Sequence, residues 1–358
     1  MKKIYSVILR VLFVTAIVIL SACSDNDKKY YTEDGLPRFW TWLDYRESCD
    51  YDSLFSLYSS HGVRGVNVNT KGDIEALKKV IPIAGKYNVD VYVWFWGINQ
   101  LKLAEKHPEW LDYNAKGESM ATHKAYVDHY KFMNPAIPEF RKELEAQVEE
   151  LCHIDGLKGI SLDFTRYVDA ILPEGIQPKY NIKQDKVYPE WDYGYHPFAI
   201  GKFKALYNYD PRELEDPTQD SAWHQFRLDQ VTECVAPLVD IVHKHGMKIS
   251  ASPFPTPSLS RLLVMQDWDK WKLDFYQPMI YYGFYNQDYK WMGACTKEDV
   301  DAVSPAKVFS AIFLNDLKKD QADPKMIIRL AMDNGSAGLA FFGRPDKSFL
   351  ESIKNFDK

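Results

Sequence analysis

Asp163 closes the run Gly159-Ile160-Ser161-Leu162-Asp163 and is followed by Phe164-Thr165-Arg166-Tyr167. Ile160, Leu162 and Phe164 alternate with Ser161 and Asp163, which is the two-residue period of a short buried strand. Acids are rarely buried without a partner or a task. A carboxylate in such a place can protonate or attack a glycosidic bond, or orient a sugar hydroxyl. Its other use is to tie down a loop through Arg166. Arg166 is also placed to do two things at once, holding Asp163 ionised and touching substrate. That pairing predicts a nucleophile or base at Asp163 rather than a proton donor.

Glycosidic chemistry needs a second carboxylate. Asp44 ends the first strand-like run, in parity with Trp40 and Trp42, and a rigid strand end places a group better than a loop does. Glu174, Glu190 and Asp192 follow the Asp163 strand, and Asp288 and Asp316 lie in later connections. Taken singly, each of these five reads as a solvated loop acid. Sugar rings present apolar C–H faces that stack on indoles and phenols. Trp42, Trp94, Trp96, Tyr281 and Tyr282 are placed for this on strands or their ends, with Tyr285 close behind and Tyr167 beside Arg166. Trp191, Tyr193 and Tyr195 crowd one loop, where a core role is harder to assign. Asn67 and Asn69 are the polar candidates for binding sugar hydroxyls. His123 and His129 lie in a long loop within reach of a substrate.

Other chemistries find no support. His243 and His245 end a helix just before Gly246, where histidines are common, and read as structural. No two-His-plus-carboxylate set falls on neighbouring strand ends, so no metal centre is expected. No Gly-x-Ser-x-Gly elbow and no glycine-rich phosphate loop occur. No cofactor is implied.

The elements that must hold these residues alternate strand and helix. Strands are predicted at Arg38–Leu43, Gly65–Asn69, Val89–Trp96, the Asp163 run, Lys248–Pro253, Asp274–Tyr282, Val308–Leu314 and Gly338–Gly343. Helices are predicted at Asp52–His61, Asp73–Tyr87, Ile137–Cys152, Ser221–Lys244, after Asp323, and at Asp346–Asn355. Long loops follow the third strand, Gly97–Asn134, and the fourth. This is the pattern of an α/β chain closed into a (β/α)8 TIM barrel, with an open doubly wound sheet as the alternative. Parity turns Val91, Val93 and Phe95 toward helices, and Tyr92, Trp94 and Trp96, with Asn67 and Asn69, into the barrel. Acids at strand C-termini then open on the mouth, where barrel sites form.

The first 22 residues read as an export signal. Lys2, Lys3 and Arg10 precede the apolar run Val11–Leu20, too short to span a bilayer. Leu20-Ser21-Ala22-Cys23 resembles a bacterial lipoprotein box, which would make Cys23 the acylated first residue. Ser24 rather than Asp follows, favouring the outer membrane. Residues 23–36 then read as a tether and 37–358 as the barrel domain. Removing the signal's three cations from 44 Lys and Arg, against 50 Asp and Glu, moves the net charge from −6 to −9. That balance argues against nucleic acid as a partner. The remaining cysteines, Cys49, Cys152, Cys234 and Cys295, fit no metal spacing, and no obligatory disulfide is expected.

Several pieces together resemble the glycosyl-hydrolase-like family 10 group, bacterial (β/α)8 proteins. They are Arg38-Phe39-Trp40-Thr41-Trp42, His107-Pro108-Glu109-Trp110-Leu111 with Lys116-Gly117, and Met133-Asn134-Pro135-Ala136-Ile137-Pro138-Glu139. Gly156 through Tyr167, Ile249-Ser250-Ala251-Ser252-Pro253-Phe254 and Gln277-Pro278-Met279-Ile280-Tyr281-Tyr282 complete the set. The resemblance covers most of 37–345 and implies glycoside hydrolysis with the strand-four acid most important. It does not imply xylanase activity. True family 10 xylanases carry glutamates after strands four and seven, whereas strand four here ends in Asp163 and no Glu lies between Val308 and Leu314. The expectation is a surface-anchored glycoside hydrolase acting on an oligo- or polysaccharide. A glycan-binding lipoprotein without turnover is the alternative, and a structural envelope protein would show no cleft.

Overall fold

The computed structural model describes residues 25–358. The export signal and Cys23 lie outside the described residues. Eight parallel strands close into a barrel in chain order. They are β1 (Phe39–Asp44), β2 (Gly65–Asn69), β3 (Asp90–Trp96), β4 (Gly159–Asp163), β5 (Lys248–Ala251), β6 (Phe275–Tyr276), β7 (Lys307–Phe313) and β8 (Gly338–Phe342). Pairing of β1 with both β2 and β8 closes the ring and excludes the open sheet.

The main connecting helices are α1 (Tyr51–Ser60), α2 (Ile74–Lys86), α3 (Pro138–Leu151), α4 (Pro197–Tyr207), α5 (Ser221–Lys244), α6 (Tyr289–Val303), α7 (Leu314–Asp320), α8 (Pro324–Asp333) and α9 (Lys347–Lys354), with shorter helices at Leu101–Lys106 and Pro257–Val264. Aspartates start several of them. Asp50 accepts from Ser53 N at 3.0 Å, Asp73 from Ala76 N at 3.1 Å and Asp220 from Trp223 N at 2.6 Å. Each satisfies an amide that the first helical turn leaves without a partner.

Strand parity divides the core. Val66, Val68, Val91, Val93, Ile160 and Leu162 face outward and pack against the helices. Each such side chain contributes about 1.5–3 kcal/mol when fully buried. The opposite faces fill the barrel in layers. At the N-terminal end Trp40, Tyr92, Phe275 and Phe309 interlock, with the Trp40 ring 5.0 Å from those of both Tyr92 and Phe275. Above them lies a polar layer, where Asn67 Nδ2 donates to Gln277 Oε1 at 2.8 Å and Ser161 Oγ donates to the same oxygen at 3.4 Å.

Three expectations need correction. The sixth strand is not a nine-residue run but Phe275–Tyr276, followed by a 3-10 turn at Tyr282–Tyr285. Pro278 has no N–H for the ladder. Pairing continues beyond Tyr276 through isolated bonds, on the β7 side from Ala311 N to Pro278 O at 2.9 Å and from Ile280 N to Ala311 O at 2.8 Å, and on the β5 side from Gln277 N to Ala251 O and from Met279 N to Pro253 O, both at 2.8 Å. The tether of residues 23–36 is docked from Tyr30 onward, because Tyr30 packs on Phe356 and Leu36 joins the barrel's interior cluster beside Trp40. The segments after β3 and β4 are not plain loops. The first carries a helix at Leu101–Lys106 and the second carries a 3-10 stretch at Glu174–Tyr180 and then α4. Among the described residues no helix is long and apolar enough to cross a membrane. Cys49, Cys152, Cys234 and Cys295 are free thiols, the last three of them buried.

Candidate active site

Asp163 stands at the C-terminal end of β4, paired in register with Trp96 of β3. Backbone bonds from both flanking strands hold the strand end. Gly97 N donates to Asp163 O at 2.8 Å and Ser252 N to Leu162 O at 2.8 Å. The chain then turns sharply through Phe164, whose φ of 48° lies in the left-handed region. A non-glycine residue there costs about 1–2 kcal/mol, and such strain gathers at functional sites. The turn brings Phe164 N to Asp163 Oδ1 at 2.6 Å, while Trp94 Nε1 donates to Oδ2 at 2.8 Å. Asp163 is 6% exposed. Burial pushes its carboxyl up to about 6, against the pull of the Trp94 and Phe164 N–H groups and the more remote Arg166 charge.

Arg166 does not do what its spacing suggested. Its Nη1 donates to Asp169 Oδ2 at 3.1 Å and to Tyr167 O at 2.8 Å, and its Nη2 donates to the Tyr130 hydroxyl at 3.2 Å. The rings of Tyr130, Phe132, Phe164 and Phe254 surround the guanidinium at 4.8 to 5.6 Å. It is an internal post that braces the turn behind Asp163, and its salt bridge is to Asp169. Without a direct cation, burial prevails and the Asp163 carboxyl is raised rather than lowered.

An aromatic wall surrounds the mouth. The Trp94 ring lies 6.0 Å from both Trp96 and Phe342. Phe342 also lies 6.4 Å from Trp42 and stacks on Tyr281 at 6.3 Å, with an interplanar angle of 16°. Trp42, Trp94, Trp96 and Tyr281 are thus brought together as expected. Asn67 lies in the polar layer below. Its Oδ1, Gln277 Nε2 and the Ser250 and Ser252 hydroxyls have no protein partner. All four residues are buried, Asn67, Gln277 and Ser250 at 0% exposure.

Asp44 closes β1 but is exposed, and accepts from Asn69 Nδ2 at 3.3 Å. Asp316 is the better-held acid. It follows β7 on the first turn of α7, is 9% exposed, and accepts from Gly283 N at 3.1 Å. Burial raises its carboxyl too. The Tyr281 phenol lies in the field of both Asp163 and Asp316. Asp316 is therefore not the solvated loop acid that its position in a connection suggested.

Other candidates lie elsewhere. Asp192 is buried and takes Arg227 Nη1 at 2.5 Å and the Tyr195 hydroxyl at 2.6 Å. Tyr193 and Tyr195 are core residues, 3% exposed each. Tyr167 and Tyr282 are buried in the helix-side core. Trp191 is half-buried against Tyr126 at 4.5 Å. Glu190 meets Lys116 at 3.2 Å, Asp288 caps α6, and His123 stands beside Glu118 at 3.6 Å. His129 reaches the rim, 5.9 Å from the Trp96 ring.

The profile of the family Glycosyl hydrolase-like 10 matches residues 51–308. The chain belongs to the glycosyl hydrolase-like 10 family. Among curated proteins none matches it. Solved structures of similar fold include a β-galactosidase from the psychrophilic Marinomonas ef1, 12% identical with a TM-score of 0.59, covering 88% of this chain and 58% of that one. Another is α-L-fucosidase isoenzyme 2 from Paenibacillus thiaminolyticus, 13% identical with a TM-score of 0.57, covering 89% and 49%. A third is a β-galactosidase from the haloarchaeon Halorubrum lacusprofundi, 12% identical with a TM-score of 0.58, covering 89% and 57%. The chain thus spans about half the length of these enzymes, and likeness at this identity is likeness of fold. In this glycosyl hydrolase-like 10 barrel, sequence reasoning passed over Phe313 and Phe342 at the mouth. Both were legible from strand parity, two positions beyond Ala311 and Ala340.

Proposed function

We propose that this protein hydrolyses glycosidic bonds of an oligo- or polysaccharide at the bacterial cell envelope. The observation that supports this best is Asp163 itself: a carboxyl raised to about 6 by burial, bonded to an indole of an aromatic mouth. In this reading Asp163 gives its proton to the glycosidic oxygen as the bond to C1 breaks. Asp316, rather than Asp44, is the second carboxylate. It either attacks C1 to form a glycosyl ester that water later cleaves, or takes a proton from a water that attacks C1 directly. Trp94, Trp96 and Tyr281 offer faces to the sugar ring. The export signal and Cys23 would hold the enzyme by a lipid anchor on the outer membrane, and Cys23→Ala should release it to the soluble fraction.

The test is a panel of glycans incubated with the protein, reading released reducing ends. Asp163→Asn should abolish release and leave glycan affinity within a few-fold. Full activity in that variant removes Asp163 from the mechanism. A second reading, a glycan-binding barrel without turnover, is favoured by one feature. Both Asp163 oxygens already have donors, and little of the side chain is exposed. Binding without release by the unmodified protein across the panel would decide for it.

A further inference from the structure

At the end of the barrel opposite the mouth, the last turns of α3 and α5 meet. Glu149 lies in the last turn of α3, and His153 lies two residues past its end and folds back on the Glu149 carbonyl. His245 is the residue at which α5 stops. Ligand-capable atoms of these three side chains all lie within 4.8 Å of one another. We propose that Glu149, His153 and His245 form a binding site for a transition-metal dication of the zinc type.

The hydrogen bonding prepares the ligands for this. His153 Nδ1 lies 2.8 Å from Glu149 O, a carbonyl that can only accept. In the neutral ring Nδ1 therefore carries the proton, which leaves the Nε2 lone pair free to ligate. Metal-bound histidines are typically fixed in this way, one ring nitrogen donating to a backbone carbonyl and the other ligating. His245 Nε2 lies 2.8 Å from Glu149 Oε1. Zinc bonds of 2.0–2.2 Å place two tetrahedral ligands about 3.3 Å apart. The pair needs to open by only about half an ångström to admit the ion. The His153 and His245 rings face each other edge-on, with centroids 4.8 Å apart and planes at 68°. Two imidazoles and one carboxylate suit zinc, copper or nickel, whereas magnesium and calcium prefer oxygen alone. Nearby His243 is not part of the set, because its Nε2 is engaged with Asp274 Oδ2 at 3.0 Å.

A metal here joins the two turns that lead into β4 and β5. It lies far from Asp163, so its role is to brace the barrel's closed end, and its existence does not depend on glycoside hydrolysis. The test uses the untagged full chain. Zn2+ is titrated in competition with a chromophoric chelator, with Mg2+ as the control, and thermal unfolding is followed with and without Zn2+. The expected result is one Zn2+ per chain and a Zn2+-dependent rise in Tm that Mg2+ does not produce. His153→Ala and His245→Ala should each weaken Zn2+ binding about tenfold or more. Glu149→Gln, which keeps the shape of the side chain, should weaken it as well. The double variant H153A/H245A should lose the Tm response while its metal-free Tm stays near that of the unmodified protein. No one-to-one Zn2+ binding, or undiminished affinity in H153A/H245A, would overturn the site.

Discussion

Replacing Trp94 by Phe separates the aromatic wall from its one polar contact. The indole Nε1 donates to Asp163 Oδ2 at 2.8 Å, and that bond favours the ionised carboxylate. Phenylalanine keeps a ring in place and removes the donor. A hydrogen bond to a charged group contributes about 1.5–3 kcal/mol. At 1.36 kcal/mol per pH unit, its loss should move the Asp163 carboxyl up by about one to two units. In the unmodified protein the carboxyl titrates at about 6, so W94F should carry it to about 7–8. If Asp163 is the proton donor, the alkaline limb of kcat/KM shifts upward by the same amount. A substrate-free assay is available in carboxyl NMR, with D163N used to assign the signal. Stability follows the same linkage. The folded-state value lies above the ordinary carboxylate value, so the folded protein keeps a proton that the unfolded chain has lost. Stability therefore falls as pH rises from about 4 to about 6, by about 3 kcal/mol in all. In W94F the fall continues to about 7–8 and is larger by the strength of the lost bond. Urea unfolding at pH 4 and pH 8 measures it. An Asp163 signal that titrates where it did before, or lower, would refute the claim that this indole tunes the carboxyl.

Three further outcomes test the rest. Asp299 in α6 is fully buried with neither carboxylate oxygen paired, and burial drives its carboxyl well above the usual range. Asp299→Leu should stabilise the protein by about 1–3 kcal/mol. The gain should grow with pH, since the native acid loses stability as pH rises from about 4, and urea unfolding at pH 5 and 8 checks this. Arg166→Leu strands Asp169 without its cation and should cost about 3–5 kcal/mol, with much of it recovered in R166L/D169L as read by thermal unfolding. A Cβ on Gly283 would lie 2.5 Å from Asp316 Oδ1 and 2.8 Å from its Cγ. Gly283→Ala must displace that carboxylate. Misplacement by about 1 Å can cost about 10²-fold, so hydrolysis should fall steeply with the fold intact. Unchanged turnover in G283A would remove Asp316 from the chemistry.

What could be read from the chain and what could not divides along one physical line. A strand gives each side chain a direction through its two-residue period, and a closed barrel gives that direction a meaning. Trp42, Asn67, Trp94, Trp96 and Asp163 could therefore be placed on the interior face from their spacing alone, and the eight strands with them. Phe342 obeyed the same rule. Residues in connections have no such period, and their surroundings come from partners remote in the chain. Asp192 is buried by Arg227, 35 positions away, and Asp316 is held by Gly283, 33 positions away. Nothing local distinguishes either acid from the solvated Glu190. Arg166 illustrates the same point over a short range. It lies three positions from Asp163 and three from Asp169, and the left-handed turn at Phe164 decides which acid it meets. That turn has a chemical consequence. By leading Arg166 back into its aromatic cage, it leaves Asp163 facing an indole instead of a cation, and so able to hold a proton near neutral pH.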